Sequence, residues 1–102
     1  MKDYNIIFEY HDVSASESLE SFTKEKLNAI FTKFDFVIRA DVFFKSENTS
    51  ENTGKICGIR LSAPGPRLFA ETSSYNFQDA VTETVRDLTS QLKRRKEMMK
   101  TY

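Results

Sequence analysis

Apolar residues in this chain keep two different periods, and the order in which the periods alternate leaves few folds open. From Tyr4 to Tyr10 they recur at every second position, with Tyr4, Ile6, Phe8 and Tyr10 on one face, as in a strand with one buried side. Residues 36–45 form a second strand, rich in β-branched and aromatic side chains. Lys55–Ala63 is a third, burying Cys57, Ile59 and Leu61, and Arg67–Thr72 a fourth after the turn Pro64-Gly65-Pro66. Between the first two strands the spacing lengthens to that of a helix: Leu19, Phe22, Leu27, Ile30 and Phe34, with Phe31 at the margin. The same change follows the fourth strand, through Phe77, Val81, Thr84, Val85, Leu88 and Leu92. The predicted order is β-α-β-β-β-α.

Each strand has one apolar face and each helix one apolar stripe, so the two helices should cover one side of the sheet. Strands joined through a helix are parallel and the remaining ones pair as hairpins. The expectation is an α+β fold, a two-layer sandwich with a four-stranded mixed sheet, forming a single domain over residues 1–102. Ser14-Ala15-Ser16-Glu17 fits a capping box, with Ser14 as cap and Glu17 reaching back, and the helix runs to about Phe34. Ser74 or Asn76 caps the last helix, which runs to about Met99. Residues 46–54 are polar and turn-forming, a hairpin loop. The next positions on the second helical stripe are Arg95 and Met99; a cation there implies that the helix has passed the edge of the sheet.

Lys+Arg and Asp+Glu both count 15, but the signs are segregated. Residues 1–54 carry six basic and ten acidic side chains, and residues 55–102 carry nine and five. Arg86, Lys93, Arg94, Arg95, Lys96 and Lys100 crowd the last helix against Asp87 and Glu97. Cations held at fixed spacing on a helix suit a phosphate backbone, because affinity for nucleic acid is largely Lys/Arg neutralisation with counterion release. Two cations would complement a helix dipole, and five follow Leu92. Lys24, Lys26 and Lys33 extend the patch if the helices lie side by side; Arg39, Lys45 and Arg67, on strands, are weaker candidates.

Catalysis has little to stand on. The chain has one His, one Cys and no Gly-rich phosphate loop. His11-Asp12, at the end of a strand, reads as a turn, and Cys57 on an apolar face reads as a small core residue without metal-ligand spacing around it. Glu17, Glu20 and Glu25 read as a solvated face of the first helix. Neither a metal nor a cofactor is expected. A lone cysteine suits a reducing compartment, and the sequence shows neither a signal-peptide h-region nor an apolar run long enough for a membrane, so a cytoplasmic protein is expected.

Several stretches, in order, resemble the ribosome hibernation-promoting factors, also called ribosome-associated inhibitors or sigma-54 modulation proteins. They are His11-Asp12-Val13-Ser14 leading to Lys26-Leu27, Phe36–Lys45, Thr53-Gly54-Lys55-Ile56-Cys57 through Pro64-Gly65-Pro66-Arg67-Leu68-Phe69-Ala70, Phe77–Ala80, and Gln91-Leu92-Lys93-Arg94-Arg95-Lys96. The resemblance implies a fold like that of double-stranded-RNA-binding domains with an added first strand. It implies binding to rRNA of the small ribosomal subunit in the mRNA and tRNA channel, reversible silencing of translation in stationary phase or stress, and preservation of idle ribosomes. It assigns rRNA contact to Lys26, Arg86, Lys93, Arg94, Arg95, Lys96 and Lys100, in a short-form protein that is a monomer off the ribosome and has no DNA or membrane partner. The first helix is richer in Glu than an rRNA-facing surface implies, and no acidic tail like that of some short members is present. The rival reading is a protein-binding regulator that docks a partner on the outer face of its sheet, through residues such as Ile7 and Phe43.

Overall fold

A computed structural model describes residues 5–48 and 50–99. Its elements are β1 (Asn5–His11), α1 (Glu17–Lys33), β2 (Arg39–Ser46), β3 (Lys55–Ser62), β4 (Leu68–Ser74) and α2 (Phe77–Met99). The strands lie in sequence order, β1 parallel to β2 and the other pairs antiparallel. The expected α+β sandwich is the fold observed. Ile6, Phe8 and Tyr10 stand in register with Ala40, Val42 and Phe44, which in turn face Leu61, Ile59 and Cys57. With Leu68 and Ala70 of β4 these make the apolar floor on which both helices pack.

The helices close over that floor with Leu19, Leu27, Ile30 and Phe31 from α1 and Ala80, Val81, Leu88 and Leu92 from α2. Full burial of each large side chain is worth about 1.5–3 kcal/mol. Thr84 is fully buried too, and its hydroxyl lies 2.7 Å from Ala80 O, 2.9 Å from Thr72 Oγ1 and 3.2 Å from Cys57 O, tying α2 to two strands. Cys57 is a core residue, and burial pushes its thiol pKa up to about 12, so it stays protonated at neutral pH.

The ends of elements differ from the expected ones where the chain must change layers. The cap of α1 is Ser16, not Ser14: Ser16 is extended, and its Oγ accepts from the Leu19 N–H at 3.2 Å. Asp12 takes a left-handed conformation (φ 59°) and turns the chain out of the sheet. The residues up to 15 then climb to the helical layer, so Glu17 opens the helix and is not placed to reach back to Ser14. Asn76 caps α2, its Oδ1 accepting from the Asp79 N–H at 2.8 Å, while Ser74 ends β4. Strand β2 starts at Arg39, not residue 36, because Phe34 closes α1 on Ile30 O and its own carbonyl accepts from the Val37 N–H. Tyr4, expected on β1, falls outside the described residues.

Glu20 is not simply a solvated carboxylate, since it accepts from the Tyr10 hydroxyl at 2.5 Å and fastens α1 to β1. Partial burial and this carboxylate raise the phenol's pKa. Thr23, absent from the predicted stripe, is fully buried; its hydroxyl donates to Leu19 O. No helix among the described residues is long and apolar enough to cross a membrane.

Candidate nucleic-acid interface

Strand directions decide where the cations go. β1, β2 and β4 point the same way and β3 the other. Each helix follows one of the like-directed strands and returns across the sheet, so α1 and α2 run parallel and end at the same edge of the molecule. The β3–β4 turn and the starts of β1, β2 and β4 lie at that edge. Side chains mark the convergence: Lys33 of α1 and Lys96 of α2 place their ammonium groups 5.6 and 5.9 Å from the centroid of the same Phe34 ring.

Lys33, Lys93, Arg94 and Lys96 are exposed there, and among the described residues none pairs with a carboxylate. Two parallel helices bring roughly one unit of negative dipole charge to this end. The four cations, with Arg95 a fifth, exceed that even after Asp35 and Glu97 are counted. Arg95 is otherwise engaged. Its Nη1 donates to Pro64 O at 2.7 Å and its Nη2 to Pro66 O at 2.8 Å, clamping α2 to the β3–β4 turn. Gly65 lies beneath the guanidinium at φ 94°, a conformation that disfavours any side chain. Arg67 is exposed at the same edge, and Arg39 is held by Asp41 at 2.8 Å.

Other candidates lie apart from this cluster. Arg86 pairs with Glu83 at 2.9 Å, two turns before Lys93. Lys26 lies over Phe22 and Lys24 over Phe8, farther back along α1. Lys45 is at the opposite end, paired at 2.9 Å with Glu47, which raises its pKa. Lys100 falls outside the described residues.

The outer face of the sheet has its own character. Across it run the register rows Ile7–Asp41–Arg60–Phe69 and Glu9–Phe43–Gly58–Glu71. Ile7 and Phe69 are exposed and Phe43 is half-buried. Arg60 was not among the predicted site residues. Alternation along Lys55–Ala63 places it outward, but its pairing with Phe69 follows only from the hairpin register. His11 shares this face, 3.5 Å from Glu9 and edge-on to Phe43.

The family described as sigma 54 modulation protein / S30EA ribosomal protein matches residues 6–100. Among solved structures, the chain is similar to one described as a ribosomal subunit interface protein from Coxiella burnetii, at 22% identity and a TM-score of 0.81, over 91% of this chain and 98% of that one. It is also similar to the N-terminal domain of Thermus thermophilus Protein Y, at 18% identity and a TM-score of 0.72, over 92% and 98%. At these identities the likeness is one of fold. No curated protein matches the sequence.

Proposed function

Because the chain belongs to the sigma 54 modulation protein / S30EA ribosomal protein family, we propose that it is a hibernation factor. In this reading it binds rRNA of the small ribosomal subunit in the mRNA and tRNA channel, and reversibly stops translation while preserving idle ribosomes. The observation that carries the reading is the convergence of Lys33, Lys93, Arg94 and Lys96 at the shared C-terminal end of two parallel helices, without carboxylate partners among the described residues. A groove lined with phosphates accepts such an end, and each neutralised phosphate releases counterions.

The protein then acts by occupancy. Ligands that exclude one another shift each other's binding by mass action, so inhibition is stoichiometric and is relieved by dilution or excess mRNA and initiator tRNA. Changing Lys93, Arg94 and Lys96 to Gln should flatten the log–log dependence of small-subunit affinity on salt by roughly 2–3. Equal slopes for parent and variant would reduce the cluster to a solubility and dipole device. Exposure of Ile7 and Phe69 favours a second reading, a regulator that docks a protein on its sheet. That reading expects partner binding to survive the triple Gln variant and to fail with Ile7→Ser.

A further inference from the structure

The open face of the sheet carries an aromatic shelf built into the strands. Gly58 of β3 has no side chain, and the Phe43 ring lies across the space: a Cβ on Gly58 would come 2.1 Å from Phe43 Cζ. Laid over β3, Phe43 stacks on Phe69 of β4, with centroids 6.3 Å apart and planes 18° from parallel. Phe69 is 43% exposed although it belongs to a sheet strand. The Arg60 guanidinium lies 5.9 Å from the Phe69 centroid, and Arg67 joins Arg39 and Arg60 around a hollow of about 340 Å³ bounded by the two rings. Two carboxylates also line it. Asp41 is already engaged by Arg39, which leaves Glu9 opposite Arg60 and Arg67. Within the hollow's lining three guanidinium groups outnumber two carboxylates, leaving a net positive wall next to a flat ring, with Glu71 in the row beyond, near Lys45.

We propose that this face is a second binding site, for an unpaired nucleotide of single-stranded RNA. The base stacks on Phe69, with Phe43 extending the platform, and the adjoining phosphate takes the guanidinium groups of Arg60 and Arg67. Exposed aromatics on a four-stranded sheet are a general means of holding splayed-out bases, and arginine serves both as phosphate donor and as stacking partner. The hollow is at the small end of the ~300–1,000 Å³ typical of ligand sites, a size suited to one nucleotide and not to a duplex. An apolar peptide would leave two guanidinium groups unmatched, which is why RNA is the occupant argued for. The site is centred on the sheet face away from the helices, with Arg94 of the helix end bordering Phe69 at the β4 edge. Lys93 and Lys96 do not line it, so the two readings can be tested apart.

The test uses the whole chain and a fluorescein-labelled oligoadenylate, with affinity read by anisotropy at low salt. Phe69→Ala should weaken binding roughly 5- to 150-fold, the range found for loss of one base–aromatic stack, and Phe69→Tyr should retain it. Arg67→Gln, at an exposed position ahead of β4, tests the phosphate contact without touching the shelf and should lower the salt slope by roughly 1. With Lys93 and Lys96 both changed to Gln, which removes helix-end cations but leaves Arg94 beside Phe69, Phe69→Ala should still weaken oligonucleotide binding by the same roughly 5- to 150-fold factor. No binding by the parent, or equal affinities for the parent and Phe69→Ala, overturns the site. Binding lost with the Lys93 and Lys96 variant and kept by Phe69→Ala also overturns it, placing the strand on the helix end. Unchanged oligonucleotide binding by Phe69→Ala together with loss of a protein partner would reassign the face to protein docking.

Discussion

Arg95 is the cation of the basic end that is tied to the protein's own backbone, and its replacement gives a quantitative test. Its two N–H···O bonds, 2.7 Å to Pro64 O and 2.8 Å to Pro66 O, join the end of α2 to the β3–β4 turn. A hydrogen bond from a charged donor is worth about 1.5–3 kcal/mol at best. Arg95 is half-buried and water competes for both carbonyls, so about 1–2 kcal/mol for the pair is the defensible figure. Arg95→Met keeps the aliphatic stem and removes the fork; in a domain this size the midpoint of thermal unfolding should fall by roughly 5–10 °C. Lysine presents a single ammonium and should recover about half of the loss. Gly65→Ala adds a coupled check, because its Cβ would lie 3.1 Å from Arg95 Nη1 at a φ of 94°. That substitution should cost less in the Arg95→Met background than in the parent. The readouts are thermal denaturation by circular dichroism and small-subunit affinity, measured on the same preparations. An unchanged melting midpoint with a sharp fall in affinity would refute the clamp and return Arg95 to the phosphate-contacting set.

Other consequences are more direct. Leu88, fully buried between α2 and the sheet, should cost about 2–5 kcal/mol as Leu88→Ala in urea unfolding, and a neutral result would mean that the stripe is misassigned. Thr84→Val keeps the shape but removes the hydroxyl that bridges α2 to β3 and β4, and should cost about 1–2 kcal/mol by the same measurement. Cys57 binds its proton more tightly folded than unfolded, so its contribution is complete below pH 9 and is lost as pH rises toward about 12. The loss is on the order of 4 kcal/mol over that window, at 1.36 kcal/mol per pH unit. Cys57→Ala should therefore flatten the alkaline limb of a stability–pH curve, and an unaltered limb would assign the effect elsewhere. Tyr10, whose pKa is also raised, loses stability in the same direction above about pH 10, so Tyr10→Phe should remove a smaller part of that limb.

The element order was legible because every strand and both helices bury one face, which writes a period into the sequence. Ends of elements were less so. Ser14 sits three residues before Glu17, as a capping box requires, yet the left-handed turn at Asp12 delays the helix until Ser16 can cap it. Thr23 was invisible in the stripe because its hydroxyl is satisfied by a carbonyl one turn back, which lets a polar residue occupy a core position. The basic cluster was legible as composition but not as roles. The stripe set Arg95 apart from Arg94 and Lys96 as a cation at the edge of the sheet, but only the turn some thirty residues earlier shows what it holds there. Arg60 was missed for the same reason, since its outward orientation follows from alternation but its partnership with Phe69 comes from the register of β3 on β4.

Overall neutrality conceals a molecule polarised from end to end. Parallel helices put both N-termini at the edge where β1, β2 and β4 finish, and the carboxylates gather there: Asp12, Glu17, Glu20, Glu47, Glu51 and Asp79, against Lys45 and Lys55. Each helix dipole is thus complemented at both ends, acids at the positive pole and lysines and arginines at the negative one. The two poles are about 26 Å apart, the length of a 17-residue helix at 1.5 Å per residue, while charge is screened over about 8 Å at physiological salt. On the proposed reading, a phosphate groove meeting the basic pole would not sense the acidic pole, and overall neutrality would be no bar to rRNA binding. Glu47→Gln with Glu51→Gln should leave the salt slope for the small subunit unchanged, whereas the triple Gln variant at the basic pole should flatten it by roughly 2–3. A comparable change from both variants would mean that the protein lies lengthwise on the RNA and does not dock by one end.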